Sequence, residues 1–282
     1  MDDSSGLNPA GTEDADPQSP GSEAAAIHPV QRRFCPTCGA PWIPESVTCA
    51  ECAGKTRPGT IDAADVRAAI QPVRDAIFLY FAILVPILIG ALLVIACSAS
   101  AAEEIGTRVE VVISWFTAGV VVLWSIRRRR AIAPFLRNVS TPRWYAAAVL
   151  LAGGTFLLAT LTVRLLVDGL GVEEMEYADP MLNAGYGWGA IILNVCIEPA
   201  IIEELAFRGI ILTGLQRVLS NRDAALVSSL MFMVLHLAVP SFPHLFLIGL
   251  ALSYLRIRSG SLYPGMLMHF LHNFLIVVSE LL

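Results

Sequence analysis

Charged residues are scarce in this chain: only 15% of its 282 residues are Asp, Glu, Lys or Arg, whereas 55% are hydrophobic and the mean hydropathy is +0.64. A soluble domain of this length carries more charge than that. The charges are also uneven, because most lie in the first 75 residues or in short islands between apolar runs. The net charge of -5 therefore says little about partners, and the composition predicts an integral membrane protein.

The first 26 residues lack both parts of a secretory signal, the basic n-region and the apolar h-region. Residues 1–33 are instead acidic and rich in Pro, Gly and Ser, a composition that buries too little apolar surface to fold. We therefore predict a disordered acidic tail at 1–33 and no export of the N-terminus.

The chain has few cysteines, but four of its six form two CxxC pairs separated by ten residues. Two such pairs can present four thiolates to one tetrahedral zinc ion, and so small a module has little core without the metal. Disulfides would need an oxidising compartment, which the missing signal argues against. We predict a zinc ribbon at 34–54, with structural zinc bound by Cys35, Cys38, Cys49 and Cys52, and we expect Cys97 and Cys196 to be packing residues.

Seven apolar segments follow a polar linker at 55–74. Most approach or exceed the roughly 20 residues that a spanning helix needs, although the sixth is short. The pattern predicts an all-α polytopic membrane protein whose membrane domain covers 75–282. The seven segments are 76–99, 109–126, 144–167, 187–216, 224–240, 242–257 and 262–281.

Basic residues predict the orientation in the membrane. They follow the second, fourth and sixth segments, while the loop between the third and fourth segments carries five acids and no Lys or Arg. The positive-inside rule then places the N-terminus in the cytosol and the acidic loop outside. The residues used are Arg127 to Arg130, Arg137, Arg143, Arg217, Arg222, Arg256 and Arg258 on one side, and Asp168, Glu173, Glu174, Glu176 and Asp179 on the other.

Ionisable residues inside the apolar segments are the candidates for function, because an ionised side chain in hydrocarbon costs about 2.5–3.5 kcal/mol or more. Counting about 1.5 Å per residue from the cytosolic ends places groups from three segments at similar depths, about 20 Å in. Those groups are Glu203, His236 and Asn273, with His269 somewhat shallower. Carboxylates and histidines gathered in this way supply acid–base chemistry.

Helical spacing adds two expectations. Glu204 and Arg208 are four residues apart and can pair, which would leave Glu203 free on a neighbouring face. His269 and Asn273 are also four apart and point the same way. Pro199 removes a backbone hydrogen bond one turn before Glu203. The remaining polar residues of these segments are expected to pack or to line a pore: Glu198, His244 and His272.

Three short motifs give the chain a resemblance to a known family. EELAFRG matches the EExxxR motif of the CAAX protease and bacteriocin-processing family of intramembrane endopeptidases, FMVLH at 232–236 matches its FxxxH motif, and HFLHN at 269–273 its HxxxN motif. The three occur in the family's order and cover residues 187 to 280. The first three segments and the ribbon lie outside the resemblance.

The resemblance implies a membrane-embedded glutamic peptidase that needs no metal at its active site. On that basis Glu203, held with His236, activates a water, His269 and Asn273 donate to the oxyanion, and Glu204 and Arg208 support the geometry. The implied partners are the lipid bilayer and a membrane-associated or lipidated protein or peptide substrate. A protein partner at the ribbon is expected, and no basic stripe or aromatic platform indicates nucleic acid.

Three other classes fit the same residues. Two histidines and a glutamate also make a His2Glu zinc set, although no HExxH occurs. Buried acids and histidines also occur in transporters, where they relay protons or bind ions. The third class is a scaffold protein that has an inactive membrane site and recruits partners through its zinc ribbon. The presence of every motif residue argues against an inactive site.

Overall fold

A computed structural model describes residues 33–34, 41–42, 63–96, 99–171 and 176–281, and the chain divides into two compact units, Met1–Ile61 and Asp62–Leu282. In the first unit two short strands, β1 (Arg33–Phe34) and β2 (Pro41–Trp42), pair antiparallel, with Arg33 opposite Trp42. Residues 1–32 of the predicted acidic tail and the four ribbon cysteines lie outside the described residues, and the last residue assigned to the tail, Arg33, lies in β1. The zinc ribbon therefore stays a prediction.

The second unit is helical throughout its described residues, which confirms the predicted all-α class. Its sixth helix, α6, runs without interruption over 188–215 but alternates between α-helical and π-helical turns. The helices are α1 (Ala63–Ile95), α2 (Ala99–Arg127), α3 (Arg129–Arg137), α4 (Pro142–Leu170), α5 (Ala178–Asn183), α6, α7 (Asn221–Leu235), α8 (Phe242–Ser259) and α9 (Tyr263–Ser279).

Three of the described helices are long and apolar enough to cross a membrane: Ile70–Ile95, Glu104–Arg127 and Pro142–Gly169. Their exposed side chains are mostly large and apolar, as expected of surfaces that face lipid. The chain is thus an integral membrane protein, and the count of seven spans stays a prediction. One boundary differs from the expected one, because α1 begins at Ala63 and residues 63–74, assigned to a linker, are helical.

The π-helical turns of α6 lie on both sides of the α-helical segment that ends at Glu203. One covers Ile192–Ile197 and the other Glu204–Ile211, with α-helix at Glu198–Glu203 between them. A π turn inserts an extra residue into a helix and is frequent at functional sites. Pro199 contributes as predicted, because it has no N–H to donate to the carbonyl of Val195, four residues earlier.

Close helix packing supports the site. The helix α7 lies against α8, α4 against α9, and α1 against α2. At the α7–α8 contact a Cβ on Gly249 would lie 2.9 Å from the Cβ of Ser229, so only glycine allows this approach. Small residues that let helix backbones approach are typical of helix contacts in membranes.

We predict that the acidic segment before α5 is outside and the loop after α3 is cytosolic. Cysteines introduced as Glu176→Cys and Ser140→Cys should react with an impermeant maleimide from opposite faces of sealed vesicles, since lysine- and arginine-rich ends stay in the cytosol. The wild-type chain, whose ribbon cysteines are expected in the cytosol, is the control. Labelling of Glu176→Cys from the cytosolic face alone would overturn the predicted topology.

Candidate active site

The site is built around a buried ion pair on α6. The Nη1 atom of Arg208 donates to Oε1 of Glu204 over 2.9 Å, and both side chains are fully buried. The Nη2 atom of Arg208 also donates to the carbonyl of Gly249 on α8, at 3.1 Å. The pairing predicted from the four-residue spacing is therefore present, and it links α6 to α8.

An aromatic ring from α7 covers this pair. Phe232 is buried, and its ring centroid lies 4.6 Å from the guanidinium carbon of Arg208, a cation–π contact. The same ring contacts His236 at 4.7 Å and His269 at 6.0 Å between centroids. Phe232 thus fixes the positions of one cation and two imidazoles, a role that its place in the FxxxH motif did not reveal.

His269 lies between the two glutamates. Its Nδ1 atom is 3.5 Å from Oε1 of Glu204, and its Nε2 atom is 3.8 Å from Oε2 of Glu203. These distances are longer than hydrogen bonds, as catalytic contacts often are before substrate binds. The sequence predicted the depth of His269 but not that its ring would connect the adjacent carboxylates.

The charges of this group can balance. A protonated His269 would direct one N–H to each glutamate, and Arg208 supplies the second positive charge. Two carboxylates and two cations would then have no net charge, which lowers the cost of placing them in an apolar environment. The balance depends on both glutamates being present.

Glu203 lies where two cavities meet. One, of about 580 Å³, is here called the apolar cavity; it lies along α1, α2 and α6 and includes Ile83, Ile87 and Val94. The other, of about 650 Å³, is called the polar cavity, and it contains all four histidines of the second unit. Four residues line both: Glu110, Ser114, Glu203 and His236. Glu204 and Arg208 line neither cavity.

His236 has one ring nitrogen available to the cavities. Its Nδ1 atom lies 2.9 Å from the carbonyl oxygen of Phe232. Because a carbonyl oxygen only accepts, Nδ1 carries the proton, and Nε2 of the neutral ring is then an acceptor. His236 can therefore accept a proton or a hydrogen bond at Nε2. No direct contact joins it to Glu203, although both line the same cavities.

Asn273 lines the polar cavity, but its amide is engaged. Its Nδ2 atom donates to the carbonyl of Val195 over 2.8 Å. That carbonyl is the one that Pro199 cannot serve, so Asn273 ties α9 to the irregular part of α6. One of the two amide hydrogens is used in this way, and the other is free to act as the predicted oxyanion donor.

Gly265 on α9 is a site residue that the sequence reasoning missed. A Cβ at this position would lie 2.8 Å from Oε2 of Glu204. Such contacts essentially do not occur, so glycine allows α9 to approach the buried carboxylate. The only sequence signal was a glycine four residues before His269, on the same helix face.

The zinc alternative gains no support from the arrangement of side chains. Among the described residues, no three of the His, Cys, Asp and Glu side chains are grouped so as to hold a metal ion. Glu204, which would act as base if Glu203 were a ligand, is fully buried and paired with Arg208. That version of the metallopeptidase hypothesis does not fit the described geometry.

Acid–base groups at the junction of two cavities within a membrane unit are compatible with hydrolysis, and the family comparison identifies the class of protein. Residues 183–275, about a third of the chain, match the family Type II CAAX prenyl endopeptidase Rce1-like. The chain is therefore a membrane protease. The match includes all three motifs and supports the CAAX protease and bacteriocin-processing family. No curated protein and no solved structure matches the chain.

We predict that Gly265→Ala impairs the site through Glu204. The added methyl would press on a carboxylate that Arg208 holds in place, so we expect a loss of stability of about 1–3 kcal/mol and a larger loss of peptidase activity. Thermal unfolding in detergent and cleavage of a reporter peptide measure the two effects. Gly154→Ala on α4 is the matched control, because a Cβ there meets no atom within 4 Å. Equal effects of the two substitutions would contradict the proposed contact.

Proposed function

We propose that the membrane unit hydrolyses a peptide bond of a membrane-associated protein or peptide, using a water activated by Glu203. The observation that carries this proposal is the position of Glu203 at the junction of the two cavities, beside His269 and His236. Of the two adjacent glutamates, only Glu203 can reach a substrate. Glu204 is enclosed with Arg208 and acts by positioning.

In the proposed reaction Glu203 takes a proton from water while the water oxygen attacks the scissile carbonyl carbon. The tetrahedral intermediate carries an oxyanion, which N–H donors from His269 and from the free amide hydrogen of Asn273 would stabilise. The C–N bond then breaks, and the proton held by Glu203 passes to the leaving amine. Atoms and charge balance without a metal or cofactor.

The His269 contact with Glu204 supports this division of roles. A carboxylate that faces Nδ1 fixes the direction of the His269 ring, and with a proton on each ring nitrogen the Nε2 side donates to the oxyanion. The ion pair with Arg208 keeps Glu204 in place, and Phe232 limits rotation of the ring. His236 would assist Glu203 through Nε2 by holding the water.

The apolar cavity supports a substrate with an apolar group next to the scissile bond. Its lining is dominated by Ile, Val, Leu and Ala side chains from α1, α2 and α6. Apolar surface of this kind binds hydrocarbon by removing it from water. Either a lipid attached to the substrate or an apolar peptide segment fits, and the family name points to a prenylated CAAX protein.

Glu203→Gln should remove peptidase activity and leave the protein folded. Glutamine keeps the size of the side chain but cannot take a proton from water, so kcat should fall by about 10² or more. The assay is cleavage of a fluorogenic peptide with a farnesylated cysteine followed by three residues, in detergent or nanodiscs.

The matched control for this variant is Glu198→Gln, the same change five residues earlier on α6. Glu198 accepts a hydrogen bond from Ser114 at 2.9 Å, which a glutamine carbonyl can also accept. We expect Glu198→Gln to retain most activity. Undiminished cleavage by Glu203→Gln would end the glutamic-peptidase proposal.

We also propose that the ribbon cysteines hold the only zinc. The full chain should then contain about one equivalent by elemental analysis, and a fragment starting at Asp62, the boundary between the two units, should contain none. The fragment should still cleave the reporter peptide with a strong chelator present. A fragment that keeps one zinc and loses activity when the metal is stripped would instead be a metallopeptidase.

A further inference from the structure

His244 has no role in the chemistry described above, yet it lines the same polar cavity as Glu203, His236 and His269. It lies in the first turn of α8, and only 8% of its surface is exposed. His236 and His272 line that cavity as well. The ring is therefore enclosed near the reacting groups.

The four histidines of this cavity differ in their partners. His236 is bonded to the Phe232 carbonyl, His269 lies between two carboxylates, and His272 Nδ1 is 3.1 Å from the Thr155 hydroxyl oxygen. His244 alone forms no hydrogen bond or ion pair with any described residue, and its Nδ1 atom is buried without a partner. The Nδ1 atom of His269 also has no hydrogen bond, but it lies 3.5 Å from the Glu204 carboxylate, whereas His244 has no carboxylate within ion-pair distance among the described residues.

A buried polar group without a partner destabilises a protein, so one that lies beside reacting groups calls for an explanation. A phenylalanine would fill similar space at this position without that cost. The position of an imidazole that forms no hydrogen bond in the folded protein is explained if its hydrogen-bonding partner is part of the bound substrate.

We propose that His244 is a substrate-binding residue, whose ring forms a hydrogen bond with the main chain of the peptide bound in the polar cavity. An extended peptide presents N–H and C=O groups that secondary structure does not satisfy, and each must find a partner when the cavity excludes water. A neutral imidazole can serve either, since one nitrogen donates and the other accepts. This inference rests on the proposed peptidase function and extends it by naming a residue that binds the peptide.

The arrangement divides the substrate between the two cavities. Glu203 acts where they meet, the apolar cavity takes the lipid or apolar segment, and the polar cavity takes the peptide main chain on the other side of the scissile bond. His244 then contributes to binding in both ground and transition states, which changes KM more than kcat.

For kinetics, His244→Phe is compared with the wild-type enzyme. For binding, the double variant Glu203→Gln/His244→Phe is compared with Glu203→Gln, because Glu203→Gln holds the farnesylated reporter peptide without cleaving it. We expect a KM about tenfold higher with a similar kcat, and a peptide Kd about tenfold higher by fluorescence anisotropy. The thermal midpoint should stay the same or rise, because an unpartnered buried nitrogen has been removed. His244→Asn, which keeps a donor and an acceptor, should recover part of the affinity.

His272→Phe is the matched control, the same substitution in the same cavity. It removes the hydrogen bond to Thr155, so it should lower the thermal midpoint and change the peptide Kd little. The inference is overturned if His244→Phe binds the peptide as tightly as its parent, or if it lowers the midpoint as His272→Phe does. Failure of the peptidase proposal is separate, because it would show as cleavage by Glu203→Gln itself.

Discussion

The fully buried pair of Glu204 and Arg208 is the interaction on which the rest of the site depends. Removing one partner of such a pair costs about 3–5 kcal/mol, because the other is left as an uncompensated charge. Its neighbours are arranged to satisfy it: the Gly249 carbonyl accepts from Arg208, Phe232 covers the guanidinium, and Gly265 leaves room for the carboxylate. The helices α6, α7, α8 and α9 therefore meet at one charged pair, and their mutual positions place Glu203 and the histidines.

Two adjacent glutamates acquire different chemistry from this arrangement. Glu204 is fully buried, paired with Arg208 and absent from the lining of both cavities, so it cannot meet a substrate. Glu203 is the last residue of the α-helical segment Glu198–Glu203, directly before the second π segment, and borders both cavities. Sites that need two carboxylates in different states commonly separate them by environment in this way. His269 contacts both, so the structural glutamate can orient the imidazole that serves the reactive one.

The sequence predicted the helical class and the pairing of Glu204 with Arg208, and it predicted that Glu203, His236, His269 and Asn273 would lie near one another, as they do along the polar cavity. These follow from hydrophobic runs and from the spacing of residues along a regular helix. It did not predict that Asn273 would bind the Val195 carbonyl or that His269 would connect both glutamates. Such contacts depend on how each helix is rotated about its own axis relative to its neighbours. The π turns in α6 shift which side chains share a helix face, and a pattern with 3.6 residues per turn does not predict that shift. Gly265 and Phe232 were missed for a related reason, since their importance lies in contacts across helices.

His244 illustrates a further limit of sequence reasoning. A lone histidine in an apolar segment is more often a satisfied packing residue, and the sequence contained nothing to set it apart from His272. The difference lies in partners: Thr155 is within hydrogen-bonding distance of His272, and no described residue serves His244. A buried polar group without a hydrogen bond destabilises the folded protein. The unpartnered ring of His244 beside the reacting groups therefore indicates a function that the sequence alone did not indicate. The two cavities also differ in lining: Ile, Val, Leu and Ala side chains dominate the one beside α1, whereas the one beside α9 contains all four histidines of the second unit and offers more hydrogen-bonding groups.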